Sequence, residues 1–253
     1  MNDLSISLLV FAVIFGGALI GMVVRPFLSE HHQTADSREV VKMTTGLIGT
    51  LTALVLGLLI ASAKTSFDQK TNQVRQMTAT IILLDDLLMR YGPEATHLRN
   101  LLRQGIQPLA DRIWHEEEAA AGRPVRFESS AESSAFEIEL GRLSPNNDLQ
   151  RSLQSRATQA FTEAAQIRLQ LFAQTSGAIP TPFLVILVLW LCAIFVSCTL
   201  FARTNLIVMT SLLVCALSFA CAIFLVLELG NPFRGLMGIS SETLRTALSP
   251  LAS

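Results

Sequence analysis

The side chains able to do chemistry in this sequence are few, and most stand side by side instead of at spacings that converge. His31 and His32 are neighbours in a polar stretch. Such a pair can bind a metal or titrate near neutral pH, and the plain alternative is that both are simply solvated. His115 runs into Glu116, Glu117 and Glu118. Successive residues of a helix point about 100° apart, so these four cannot converge on one ion, and the HExxH spacing of a zinc helix is missing. Asp85 and Asp86 are likewise adjacent, not two carboxylates facing one substrate. No GxxxxGK[ST], GxGxxG, GxSxG or CxxC occurs anywhere in the chain. The expectation is a protein without a soluble catalytic site, without a metal and without a cofactor.

What must hold these residues is set by four apolar stretches that contain no Asp, Glu, Lys, Arg or His: Leu4 to Val24, Thr44 to Ala63, Phe183 to Ala202, and Leu206 to Leu227. A helix of about 20 apolar residues crosses a hydrocarbon core, so each is long enough to span a bilayer. They come in two pairs around a polar block, Lys64 to Thr181. Composition agrees, with 51% hydrophobic and 15% charged residues, against about 25% charged in typical soluble domains. The net charge of -1 offers no basic surface for nucleic acid. All four cysteines (Cys192, Cys198, Cys215 and Cys221) fall in the third and fourth spans and read as apolar packing residues. The first span is too long for a signal peptide and has no basic region before it.

The sequence therefore divides into spans one and two with their loop (1–63), a helical soluble domain (64–181), spans three and four (182–229) and a tail (230–253). Arg25-Pro26 closes the first span, and a polar loop from Ser29 to Lys42 leads to the second. Arg203-Thr204-Asn205 alone joins the third span to the fourth, and Gly230-Asn231-Pro232 stops the fourth. Nothing breaks a helix between Thr44 and Tyr91, so one rod of roughly 70 Å at 1.5 Å per residue is expected. Beyond the span its apolar seam is Phe67, Val74, Met77, Ile81, Leu84 and Leu88, with one position missing near Lys70. Gly92-Pro93 ends it. A second helix follows from about Glu94 to Glu118 with a kink expected at Pro108, then a polar linker over Gly122 to Ser134. A last helix starts at the Ser144–Asp148 turn, and the tail carries a short amphipathic turn from Ser241 to Leu248. No strand pattern appears. The expected fold class is all-α: an integral membrane protein with four transmembrane helices, two plus two, around a helical soluble domain.

Two features of this frame bear on function. The second span carries small residues at every fourth position: Thr45, Gly49, Ala53, Gly57 and Ala61. Such a ridge lets backbones approach closely where lipid supplies no hydrophobic push. It serves either a contact within one subunit or a helix near a symmetry axis, packed against copies of itself and lining a conduit. Gly17 and Gly21 form a lone GxxxG pair in the first span. Lys64 and Glu228 stand at the ends of the second and fourth spans, on the same side. They read as interface anchors, or, with Ser62 and Ser66 beside Lys64, as an electropositive pore mouth.

Two stretches resemble a known family. One is Val55-Leu56-Gly57-Leu58-Leu59-Ile60-Ala61-Ser62-Ala63-Lys64-Thr65-Ser66-Phe67-Asp68, followed by Ile82-Leu83-Leu84-Asp85 and Tyr91-Gly92-Pro93-Glu94. The other is Leu227-Glu228-Leu229-Gly230-Asn231-Pro232-Phe233-Arg234-Gly235-Leu236, then Ile239-Ser240-Ser241 and Leu244-Arg245. Together with the layout they resemble the bacterial four-span proteins labelled bestrophin-like (the DUF4239 group), with Pro232, Phe233 and Gly235 as motif residues. Gly230-Asn231 stands where an acidic residue is expected before Pro-Phe. The resemblance implies kinship with bestrophins, pentameric anion channels whose second helix lines the pore and whose inter-span domain is cytosolic. The second span offers Leu51, Leu54, Leu58 and Leu59, but no Phe before Phe67, for a constriction of that type.

Basic residues near the span ends number four on the loop side and six on the domain side, which fixes no orientation. The resemblance implies a bacterial inner membrane with the domain and both termini in the cytoplasm. Two functions then compete. One is a homo-oligomeric channel, a pentamer by the resemblance, passing small anions with the second span near its axis. The other is a membrane-anchored scaffold or sensor, favoured by spans that carry no charge. The lipid bilayer and copies of the chain itself are partners under the first reading.

Overall fold

A computed structural model describes residues 3–27, 35–119, 131–173, 181–201, 205–230 and 233. Among them there is no strand. The helices are α1 (Asp3–Val24), α2 (Ala35–Tyr91), α3 (Thr96–Ala119), α4 (Ala131–Arg142), α5 (Asp148–Ala173), α6 (Thr181–Phe201) and α7 (Leu206–Gly230). Helices α1, α6, α7 and the apolar part of α2 are each long and apolar enough to cross a membrane. The His31-His32 pair, the Arg203-Thr204 link and the Ser241–Leu248 turn lie outside the described residues.

Sequence punctuation accounts for most helix ends. Arg25–Phe27 tightens into a 3-10 turn after α1, as expected of a charge and a proline at a span end. Helix α2 contains no proline and ends at Gly92, whose φ of 123° is a backbone state that L side chains rarely adopt. Pro93 then opens a 3-10 turn whose Ala95 N–H donates to the Gly92 carbonyl at 3.1 Å. At the start of α5 the Gln150 N–H donates to Asn147 Oδ1 at 2.7 Å, while Gln150 Oε1 accepts from the Asn146 N–H at 2.8 Å. Asn147 thus caps a first-turn donor of α5, and Gln150 reaches back to the residue before the cap, one position off a capping box.

Two expectations are corrected. Helix α2 begins at Ala35, so the second half of the predicted Ser29–Lys42 loop is helical, with Asp36 favourably placed in the first turn. The predicted linker yields α4 from Ala131 onward; Phe136 and Leu140, one turn apart, bury its inner face. Polarity had suggested loop in both places, yet neither 35–42 nor 131–140 contains Gly or Pro. Helix α3 runs through Pro108.

The chain forms two compact units: Met1–Phe67 with Ala178–Asn231, and Asp68–Gly177 with Pro232–Ser253. In the first, the membrane unit, α1 packs on α6 and α7. Its core joins Val10, Ile14 and Ala18 of α1 to Leu59 and Ala63 of α2, Leu187, Leu191 and Phe195 of α6, and Ile223 and Val226 of α7. The α1–α6 contact is very close. A Cβ at Gly17 would lie 2.6 Å from Cys192 Sγ, and one at Gly21 would collide with Thr199 Oγ1 and sit 2.9 Å from the Val196 carbonyl. The lone GxxxG pair is therefore a packing notch.

The second, helical, unit is built on the far half of α2. Val74, Met77, Ile81, Leu84 and Leu88 are all buried, as the seam requires. Leu84, Leu87, Leu88 and Tyr91 pack with Leu98, Phe136, Leu140, Leu153, Ala157 and Ala160. Val74, Met77 and Ile81 form a second cluster with Ile106, Ile167 and Leu171.

Candidate functional site

Within the membrane unit α2 has two unlike sides. Thr52, Leu59 and Ala63 are buried, with Leu59 8% and Thr52 1% exposed. On the other side Leu47, Leu54 and Leu58 are 63%, 69% and 68% exposed, with Leu51 beside them at 43%. Gly46, Thr50, Ala53, Gly57 and Ala61 are exposed as well. At 100° per residue the leucines fall within one narrow stripe, and the small residues from Gly46 to Gly57 flank it. Where a Cβ would stand at Gly46, Gly49 or Gly57, no atom of the described residues lies within 4 Å.

The predicted ridge is thus not uniform. Residues spaced by four drift about 40° per step around a helix, and the burial follows that drift: Thr45 and Gly49 are half-buried, while Ala53, Gly57 and Ala61 are open. The exposed leucine stripe was present in the sequence as a seven-residue repeat.

Several threonine hydroxyls on this helix are already engaged. Thr44 Oγ1 donates to the Val40 carbonyl at 2.9 Å, Thr50 Oγ1 to Gly46 at 3.0 Å and Thr65 Oγ1 to Ala61 at 2.9 Å. With their protons turned back onto the helix, they offer the open face acceptor lone pairs, not donors. At the end of the span Ser62 and Lys64 are exposed and Ser66 half-buried. Lys64 Nζ lies 5.5 Å from the Phe67 ring centroid. Glu228, the other terminal charge, is only 4% exposed, so it does not reach out to solvent as an anchor would.

In the helical unit the adjacent acids part company. Asp85 is buried and takes a bidentate pair of bonds from Arg99, Nε to Oδ1 and Nη2 to Oδ2, both 2.9 Å. That bond holds the guanidinium above its usual pKa. Asp86 pairs with Arg90 one turn away at 2.9 Å on the surface. The tyrosine that ends α2 is also buried, its hydroxyl without a partner among the described residues; burial, then the charge of Glu94, pushes its phenol above the usual range. The position missing from the seam is occupied by Lys70, 4% exposed, with Nζ 6.0 Å from the centroid of the Phe233 ring. Pro232 and Gly235 of the same motif lie outside the described residues, as do the side chains of His115 to Glu118. No group of three potential metal ligands occurs among the described residues.

A family model, the bestrophin-like domain, matches residues 11–244. The chain belongs to the bestrophin-like family. Solved structures agree on the fold of this bestrophin-like chain. A bacterial bestrophin homologue from Klebsiella pneumoniae, in a singly substituted form, superposes with a TM-score of 0.72 at 13% identity, over 97% of both chains. The same homologue phased by Zn-SAD gives 0.70 at 14% identity, covering 97% of this chain and 98% of that one. A membrane protein with one substitution gives 0.69 at 14%, covering 98% and 100%. At such identities the likeness speaks for the fold alone. Among curated proteins no relative matches.

Proposed function

We propose that this bestrophin-like protein is a homo-oligomeric membrane channel for small anions, with α2 of each copy beside the axis. The observation that carries this reading is the two-sided α2: one side closed by its own subunit, the other an uncharged face of leucine and small residues left open among the described residues. Copies of α2 gathered around an axis would use both parts of that face. The small flank of Gly46, Ala53 and Gly57 admits a neighbouring backbone, and the leucines narrow the lumen. The family supports an assembly of five. It also supports a bacterial inner membrane with the helical unit and both termini cytoplasmic.

Anion preference on this reading comes from charge and not from hydroxyl donors, because Thr44, Thr50 and Thr65 spend their protons on carbonyls. Exposed Lys64 is the first charge beyond the open face and would supply the attracting potential. The test is purified protein reconstituted into planar bilayers under a chloride gradient. The reading expects currents that reverse near the chloride equilibrium potential and a Lys64→Gln variant whose reversal moves toward zero. A defined oligomer that gives no current across pH and calcium supports the rival, a membrane-anchored scaffold. For that rival the polar face of α5, with Arg151, Gln154, Ser155, Thr158, Thr162 and Gln166 along one groove, is the surface available to a partner.

A further inference from the structure

Lys70 is the one basic residue among the buried polar side chains of the described structure. It sits where the heptad seam of α2 calls for an apolar side chain. Burying an ammonium costs free energy unless something stabilises the charge. Part of that stabilisation is visible: the Phe233 ring presents its face 6.0 Å from Nζ, and a desolvated cation over an aromatic face is attracted by the ring quadrupole. The ring is held in turn by the apolar cluster of Val74, Met77, Ile81, Ile106, Ile167 and Leu171. Phe233 follows the last residue of α7, Gly230, by only three positions.

We infer that Lys70 and Phe233 form a latch that fastens the chain leaving the fourth span onto the helical unit, with the charge of Lys70 specifying where the ring docks. An apolar residue at position 70 would pack a ring in any orientation and at neighbouring positions; a buried cation rewards only a ring face above it. The inference does not depend on transport and stands or falls separately from it.

Arg234, next to the latch, is a tryptic site, which makes the latch measurable in the full-length protein in detergent. Cleavage after Arg234 is timed by mass spectrometry in wild type, Lys70→Gln, Phe233→Leu, the double variant and Lys70→Arg, with the helical sites Arg75 and Arg151 as references. The latch predicts at least tenfold faster cleavage after Arg234 in Lys70→Gln and in Phe233→Leu. The double variant should be cut no faster than the faster single one, because both remove the same contact. Lys70→Arg, which keeps a cation able to stack, should stay near wild type, and cleavage at Arg75 and Arg151 should be unchanged throughout. Wild-type rates after Arg234 in both single variants would overturn the latch. So would multiplicative effects in the double variant, or a parallel rise at Arg75 and Arg151, which would mark general loosening instead.

Discussion

A Cβ placed on Gly21 of α1 would collide with Thr199 and press to within 2.9 Å of the Val196 carbonyl, while one placed on Gly57 of α2 would meet no atom within 4 Å. Both glycines lie in uncharged, span-length stretches of helix, and both belong to four-residue small-residue spacings. One of these spacings is consumed inside the subunit, where it lets α1 lie almost directly on α6. The other is left over. Small residues in a membrane helix thus mark closeness to something, and only the partner's position tells whether that something is the same chain. The fold uses Gly17 and Gly21 to close itself, while Gly46, Ala53 and Gly57 stay open among the described residues.

The sharpest way to break this contrast is to add volume at both places. Gly21→Leu drives a branched side chain into a backbone carbonyl that cannot swing aside. We expect a loss of about 3 kcal/mol or more, at the upper end of overpacking costs, seen as aggregation or a strongly lowered midpoint in detergent thermal unfolding. Gly17→Ala is milder, because its obstacle is the Cys192 sulfur at 2.6 Å, the end of a side chain. The helix-propensity gain of about 1 kcal/mol offsets part of the clash, so a net loss of about 1 kcal/mol is expected, and combining it with Cys192→Ala should recover most of it. Gly57→Leu has the smallest effect on the subunit, within about 0.5 kcal/mol in a monomeric detergent state, as for substitutions that touch nothing. Its effect should appear instead in the oligomer, as altered size-exclusion behaviour or reduced flux. If Gly57→Leu destabilises the isolated subunit as much as Gly21→Leu does, the contrast between the two ridges is false.

The spans were legible in the sequence because an uncharged run of 20 or so residues has few physical alternatives. The seam from Val74 to Leu88 was legible because burial imposes its period, and the end of α2 because Gly92-Pro93 leaves the chain little choice. Polarity misled where it stood alone: the first turns of α2 and α4 lack breakers and are helical, though their residues read as loop. Lys70 looked like a gap in the seam, since a sequence does not reveal the ring that completes it. The site was harder still. Which side of α2 is covered depends on where α1, α6 and α7 lie, so neither the drift of the ridge from covered to open nor the exposed leucine stripe followed from spacing alone.

The claim that the open side of α2 borders an aqueous axis is tested most directly by thiol accessibility in the assembled protein. In a background with the four native cysteines replaced by alanine, Leu58→Cys and Thr52→Cys would be reconstituted separately and exposed to a charged, membrane-impermeant methanethiosulfonate reagent while chloride flux is recorded. Thr52 is 1% exposed and lies on the covered side. The expected result is that Leu58→Cys is modified and its flux falls several-fold, while Thr52→Cys neither reacts nor changes. Leu58→Cys that stays unmodified in a protein still passing chloride, or Thr52→Cys reacting as fast, would contradict an aqueous axis on the open side of α2.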